Sequence, residues 1–142
     1  MKQIIIDNNY TATVVSITNK IELPGCDNIC HTNIFGNMVI VSKDVDEGEI
    51  GLYFPPECQL SESYLYNNNM YRDKTLNKDK TKGGFFEKNG RIRCVKLRGY
   101  QSAGLFMPIS SLSYISLDNE LQINNSFNDL EIDGYEYEIC KK

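Results

Sequence analysis

Four cations fall within one short stretch, Gly90-Arg-Ile-Arg-Cys-Val-Lys-Leu-Arg-Gly99: Arg91, Arg93, Lys96 and Arg98. Lys88 precedes them, and Tyr100 and Gln101 follow. Guanidinium and ammonium groups neutralise phosphates, and exposed aromatic rings stack on unpaired bases. Lys88, Arg91, Arg93, Lys96, Arg98, Tyr100 and Gln101 are therefore the candidate nucleic-acid-binding residues. Among the nearby aromatics, Phe85, Phe86 and Phe106 are expected in the core. Tyr100, in a turn, is the surface candidate.

Other chemistry is harder to support. Lys80-Thr-Lys-Gly83 and Lys96-Leu-Arg-Gly99 both match K-x-x-G, a pattern in which nucleotidyltransferases attach AMP or GMP to lysine. An attacking amine must lose its proton, which takes neighbours that lower its pKa. It also needs carboxylates for metal and further lysines for the phosphates, and the chain after Gly99 is too short to build that pocket. No catalytic residue is assigned. A phosphate-binding G-x-x-x-x-G-K-[ST] loop is absent. Cys26-x3-Cys30-His31 has poor spacing for zinc and no second ligand pair. The turn acids Asp44, Asp46, Glu47 and Glu49 lack the ligand order of a calcium loop. No metal site is assigned, and His31, the only histidine, has no nucleophile beside it.

The formal net charge of −4 is unevenly spread. Residues 72–98 hold ten Lys and Arg against three Asp and Glu, whereas the rest of the chain holds five against sixteen. A basic patch on an acidic body is the expected result, and a polyanion is the natural partner. Five cysteines, an odd number, argue against a disulfide framework. Apolar runs are only a few residues long, so no membrane span is expected. The start, MKQIIIDNNYTATVV, lacks an extended apolar signal segment. A cytoplasmic, intracellular protein is the expectation.

At 142 residues the chain is long enough for one domain with a modest core. Strands are expected at 11–17, 29–34, 38–41 and 50–54, the third apolar on both parities and so well buried. Ser61 is placed to cap a short helix. Residues 67–84, polar and Lys/Asn-rich, read as a long exposed basic loop. In the stretch from Gly90 the apolar parity slips: Ile92 and Cys94 alternate with arginines, then Val95 and Leu97 alternate with Lys96 and Arg98. A β-bulge or a strand break at Cys94-Val95 would each produce that slip. A short helix or turn follows at 109–115, and 117–142 reads as a C-terminal extension. The fold class is mainly all-β: a small OB-fold-like antiparallel β-barrel of about five strands, with short helices and a long exposed loop. An SH3-like barrel is the other possibility. Val39, Val41, Leu52, Phe54, Ile92 and Leu97 are expected to face the core.

Three segments, in order, resemble the N-terminal domain of a family of ATP-dependent RNA ligases. They are Ala12-Thr-Val-Val-Ser-Ile17, Asp46-Glu-Gly-Glu-Ile-Gly-Leu-Tyr-Phe-Pro-Pro56, and Gly90 to Gly99 followed by Gln101-Ser-Ala-Gly-Leu105. The second is similar to a G-[DE]-x-x-x-Y-F-P-P signature, the third to G-R-[IV]-x-x-x-K-L-R-G…S-x-G-L. The resemblance covers about residues 11–115. It implies an OB-fold module that engages RNA or nicked nucleic acid ahead of a nucleotidyltransferase domain, toward which 117–142 would lead. ATP and magnesium would serve that catalytic domain, and no cofactor is expected in this chain. The rival expectation is a protein-interaction module that docks on an acidic partner or on the ligase's own catalytic domain.

Overall fold

A computed structural model of the chain describes residues 1–115 and 121–142. In order, its strands begin with β1 (Lys2–Ile4), β2 (Ala12–Ser16), β3 (Ile21–Glu22), β4 (Ile29–Ile34), β5 (Asn37–Ser42), β6 (Ile50–Phe54) and β7 (Gln59–Leu60). Helix α1 (Glu62–Asn67) and a 3-10 turn at Lys74–Leu76 follow. After these come β8 (Val95–Leu97), β9 (Tyr100–Ser102), β10 (Leu105–Pro108) and a 3-10 turn at Ile109–Leu112. The chain closes with β11 (Ser126–Phe127), β12 (Asp129–Ile132), β13 (Tyr135–Glu138) and β14 (Cys140–Lys141). Every strand pairing is antiparallel, and the strands form several small sheets. The described residues contain one short α-helix, and their pairings do not close into a barrel.

The sheet β10-β6-β2-β11 is the central layer. Side chains alternate faces along a strand, so β2 and β6 can supply two cores at once. Val14, Leu52 and Phe54 pack on one face with Tyr64, Leu65, Ile92, Leu112, Phe127, Leu130 and Ile139. Val15 and Tyr53 pack on the other with Cys30, Ile34, Val39 and Val41 of β4 and β5 and with Phe106. Fully burying one such aliphatic or aromatic side chain contributes about 1.5–3 kcal/mol.

The expected strands at 11–17, 29–34, 38–41 and 50–54 all form, as does the helix. Ser61 caps α1, its hydroxyl accepting from the Tyr64 amide at 3.1 Å, which satisfies an otherwise orphaned donor. Tyr64 then points inward and donates its hydroxyl to Ser111 Oγ at 2.7 Å. Burial pushes that phenol far above its ordinary pKa.

Four expectations are corrected. Short strands are far more numerous than the five expected. Residues 67–84 are not all exposed: Met70, Tyr71 and Asn77 are buried. The Asn77 side chain stands in for a sheet partner, accepting from the Tyr71 amide and donating to the Tyr71 and Lys82 carbonyls. Such a device leaves no hydrophobic period to read. Leu97, expected in the core, is 47% exposed, whereas Val39, Val41, Leu52, Phe54 and Ile92 are buried. Phe85, also expected in the core, is 88% exposed, while Phe106 is buried and Phe86 half-buried.

Residues 121–142 are woven into the molecule. β11 pairs with β2, β12 with both β1 and β13, and β14 with β7, while Phe127, Leu130, Ile139 and Cys140 are fully buried. Leu117 to Glu120, the start of the segment read as an extension, lie outside the described residues.

Candidate nucleic-acid interface

Of the two explanations for the parity slip, the strand break is the one observed. Arg91 forms a single bridge to Gln59, residues 92–94 carry no strand pairing, and β8 starts at Val95. Upstream of the break the chain is laced to the β7 segment. Leu60 donates its amide to the Gly90 carbonyl at 2.9 Å, Ile92 donates to Cys58 at 2.8 Å, and Glu57 donates to Ile92 at 2.6 Å. Ile92 thereby enters the core while Arg91 and Arg93 stay outside.

Both arginines converge on Glu57. Arg91 Nη1 donates to the Glu57 carbonyl at 2.7 Å, and Arg93 Nη1 meets the Glu57 carboxylate at 2.5 Å. The pair is open to solvent, the side chains of Arg93 and Glu57 being 57% and 49% exposed. An exposed pair of this kind is worth at most about 1 kcal/mol, so a phosphate can compete for the guanidinium. Glu57 is not among the residues the sequence points to. Its contacts with Arg91 and Arg93 span 34 and 36 residues, a separation at which sequence pattern carries no signal.

Downstream of the break, β8 and β9 form a hairpin whose two-residue turn is Arg98-Gly99, with φ of 49° and 86°. Two successive left-handed residues suit the right-handed twist of a hairpin; glycine adopts that region freely, arginine does not. The hairpin lies against β5, where Ile40 donates its amide to Ser102 Oγ at 2.9 Å and Ala103 donates to the Met38 carbonyl at 2.9 Å. With one sheet edge as its support, its other side faces solvent, which leaves Val95, Lys96, Leu97 and Arg98 exposed.

The hairpin is tied at its tip. Arg98 Nη1 donates to the Gly25 carbonyl at 3.4 Å, and the Tyr100 hydroxyl donates to the Pro24 carbonyl at 3.0 Å. Tyr100 is half-buried and meets His31 edge-to-face, with ring centres 5.8 Å apart. The Gln101 carbonyl lies 2.9 Å from His31 Nε2, and its side chain is exposed opposite Lys96. Lys88 stands elsewhere, lining two clefts over α1 of about 510 and 340 Å³ that also share Glu62 and Ser63. The candidate residues thus fall into three places: Arg91 and Arg93 on Glu57; Lys96, Arg98, Tyr100 and Gln101 on the hairpin; and Lys88 beside α1.

The acidic counterpart is clearest on β12 and β13, where Asp129 faces Glu138 and Glu131 faces Glu136. Burial, then the neighbouring Glu136 and Glu138, push the Asp129 carboxyl up to about 7. Among the described residues, no three His, Cys, Asp or Glu side chains gather as a metal site would require. Cys26 and Cys30 are buried, and His31 is engaged with Tyr100 and Gln101.

No protein-family profile matches the chain, and no curated protein matches it. Solved structures do. Three forms of the RNA ligase of Naegleria gruberi, all substituted variants, superpose over about four-fifths of the chain. One, with AMP and Mn, is 17% identical over 80% of this chain with a TM-score of 0.54. Two with ATP and Mn are 22% identical over 81% and 20% identical over 80%, with TM-scores of 0.55 and 0.56. In each case the match takes in 31% of the ligase chain, so this chain spans about a third of the length of the proteins it resembles. By fold, the chain is a domain that resembles part of an RNA ligase.

Proposed function

We propose that the chain is the OB-fold-like, nucleic-acid-engaging N-terminal module of an intracellular ATP-dependent RNA ligase, positioning RNA or nicked substrate for a separate nucleotidyltransferase domain. The observation that carries this reading is the fold shared with part of the Naegleria RNA ligase over four-fifths of the chain. The exposed Arg93, Lys96 and Arg98, and the half-buried Arg91, supply cations suited to phosphates. ATP and magnesium belong, in this reading, to the other domain. Lys80 donates to the Asn77 carbonyl and lies against the Tyr66 ring, and Lys96 stands exposed on the hairpin.

Two measurements test the reading. Fluorescent single-stranded and nicked RNA should bind the chain, and the combined variant Arg91→Ala, Arg93→Ala, Lys96→Ala, Arg98→Ala should bind them more weakly. Unchanged binding by that variant would remove these residues from the interface. The chain alone, incubated with radiolabelled ATP and magnesium, should acquire no covalent label. A label that disappears on changing Lys80 or Lys96 to Ala would overturn the non-catalytic reading.

One observation favours a second reading, docking on a protein domain such as the ligase's own catalytic domain. Val95 and Leu97 are 46% and 47% exposed on the same hairpin as Lys96 and Arg98, and apolar patches ringed by charge suit protein partners. Val95→Ser with Leu97→Ser should then abolish docking to the catalytic domain while sparing RNA binding.

A further inference from the structure

Phe85 is the most exposed large apolar side chain among the described residues, at 88%. Its backbone is nonetheless clamped on both sides. Gly84 donates its amide to the Tyr71 carbonyl at 2.8 Å, Phe86 donates to Met70 at 2.9 Å, and Arg72 donates back to Phe86 at 2.9 Å. Gly84 runs so close to the Met70 backbone that a Cβ there would collide with it. Met70 and Tyr71, the other half of the clamp, belong to the buried core, and Asn77 braces Tyr71 from behind through two hydrogen bonds of 2.9 Å. A loop that merely tolerated an exposed phenylalanine would not need this bracing.

Two lysines stand beside the glycine pair that leads into Phe85. The Lys74 stem passes within 3.3 Å of where a Cβ on Gly83 would sit, next to the Arg72 carbonyl. Lys82 stands just before the glycine pair, and the segment's acids are partly committed. Asp73 and Asp79 accept hydrogen bonds from Thr75 and Thr81, and Glu87 pairs with Arg72 at 2.9 Å. Lys74 and Lys82 make no ion pair or side-chain hydrogen bond among the described residues. An exposed aromatic ring on a hydrogen-bonded backbone, with lysines that make no ion pair in the same segment, matches a strand that alternates flat bases with phosphates, and a π-face accepts any base.

We propose that Phe85 is a stacking finger for an unpaired base of single-stranded RNA, with Lys74 and Lys82 taking the flanking phosphates. The inference rests on the nucleic-acid reading above for the class of ligand, and adds a contact surface outside 88–101.

The chain contains no tryptophan, so Phe85→Trp creates a single reporter at the proposed contact. The probe is a fluorescein-labelled oligouridylate, titrated at low salt with the full chain. Anisotropy reports binding, and tryptophan emission from an unlabelled copy of the same oligomer reports stacking. Expected are a rise in anisotropy, quenching of the tryptophan with the same midpoint, and about tenfold or greater weakening in Phe85→Ala but not in Phe85→Trp. Anisotropy that rises without quenching, with Phe85→Ala binding as the parent does, overturns the finger and leaves the 88–101 surface standing. No rise in anisotropy overturns the finger and the nucleic-acid reading together. Quenching by an added ligase catalytic domain, with none by RNA, assigns Phe85 to a protein interface and also overturns the proposal.

Discussion

The two stretches that carry most of the positive charge, 72–88 and 91–98, differ in what their cations reach: Arg72 and Lys80 of the first bind within their own segment, to Glu87 and Asn77, whereas three of the four in the second bind residues far away in the chain. In 91–98 the cations themselves hold the chain: Arg91 and Arg93 fasten onto Glu57, and Arg98 reaches the Gly25 carbonyl. In 72–88 the buried Asn77 side chain pins the backbone, and Lys74 and Lys82 are left without ion pairs or side-chain hydrogen bonds among the described residues. A density of formal charge is therefore not a density of available charge. Arginines that tie loops together give up part of their attraction for a polyanion, whereas lysines on an independently braced loop keep theirs.

Both stretches hang on one core, since Tyr71, immediately before the first, and Ile92 of the second share a cluster with Phe54. Phe54→Ala should have the largest effect on either, costing about 3–5 kcal/mol as a large-to-small core change. Chemical denaturation measures this. A loss under about 1 kcal/mol would detach the two stretches from a common frame.

Asn77→Ala should separate them. It strands the buried Tyr71 amide, at about 1–3 kcal/mol for a group left unsatisfied, while the Tyr71 carbonyl keeps the Gly84 amide. Hydrogen exchange should quicken at Tyr71, Gly84 and Phe86 and stay slow at Leu60 and Ile92. Equal loosening of both regions would contradict independent bracing.

The acidic face offers a smaller, pH-dependent effect. Asp129 titrates near 7 in the fold against 3.8 as its ordinary value, so the folded state holds a proton across that window that the unfolded chain releases. Stability should therefore fall as pH rises from about 4 toward 7, where the carboxyl must ionise beside Glu136 and Glu138. Asp129→Asn should flatten the dependence of Tm on pH over that range. An unchanged profile would show that Asp129 is ionised in the fold at ordinary cost.

Glu57→Gln should barely change stability, by less than about 1 kcal/mol, because the pair it breaks is exposed. It should strengthen RNA binding by freeing Arg93. Weaker binding in this variant would mean that Glu57 orients the arginine for its ligand instead of competing for it.

The central layer is legible in the sequence because its elements announce themselves locally. The β-rich run at Ala12–Ser16, the alternation of Ile50–Phe54 and the Ser61 cap are each contained in a few residues. The C-terminal strands are not legible. β11 and β14 are two residues long, and their pairing with β2 and β7 spans most of the chain. Phe85 misleads because an aromatic beside a second aromatic suggests core, whereas its exposure is set by the hydrogen bonds of its neighbours. The candidate cations are legible as residues and illegible in their partners, since Glu57, Gly25 and Pro24 approach the basic stretch only in three dimensions.

The most direct test is the salt dependence of RNA binding by the chain, compared with the variant carrying Arg91→Ala, Arg93→Ala, Lys96→Ala and Arg98→Ala. Each phosphate neutralised on a single strand contributes about 0.7 to the slope of log affinity against log salt. If these residues engage RNA, the variant should bind more weakly and its slope should be shallower by about 0.7 for each phosphate it no longer neutralises. An unchanged affinity and an unchanged slope would contradict an RNA-engaging surface at 91–98.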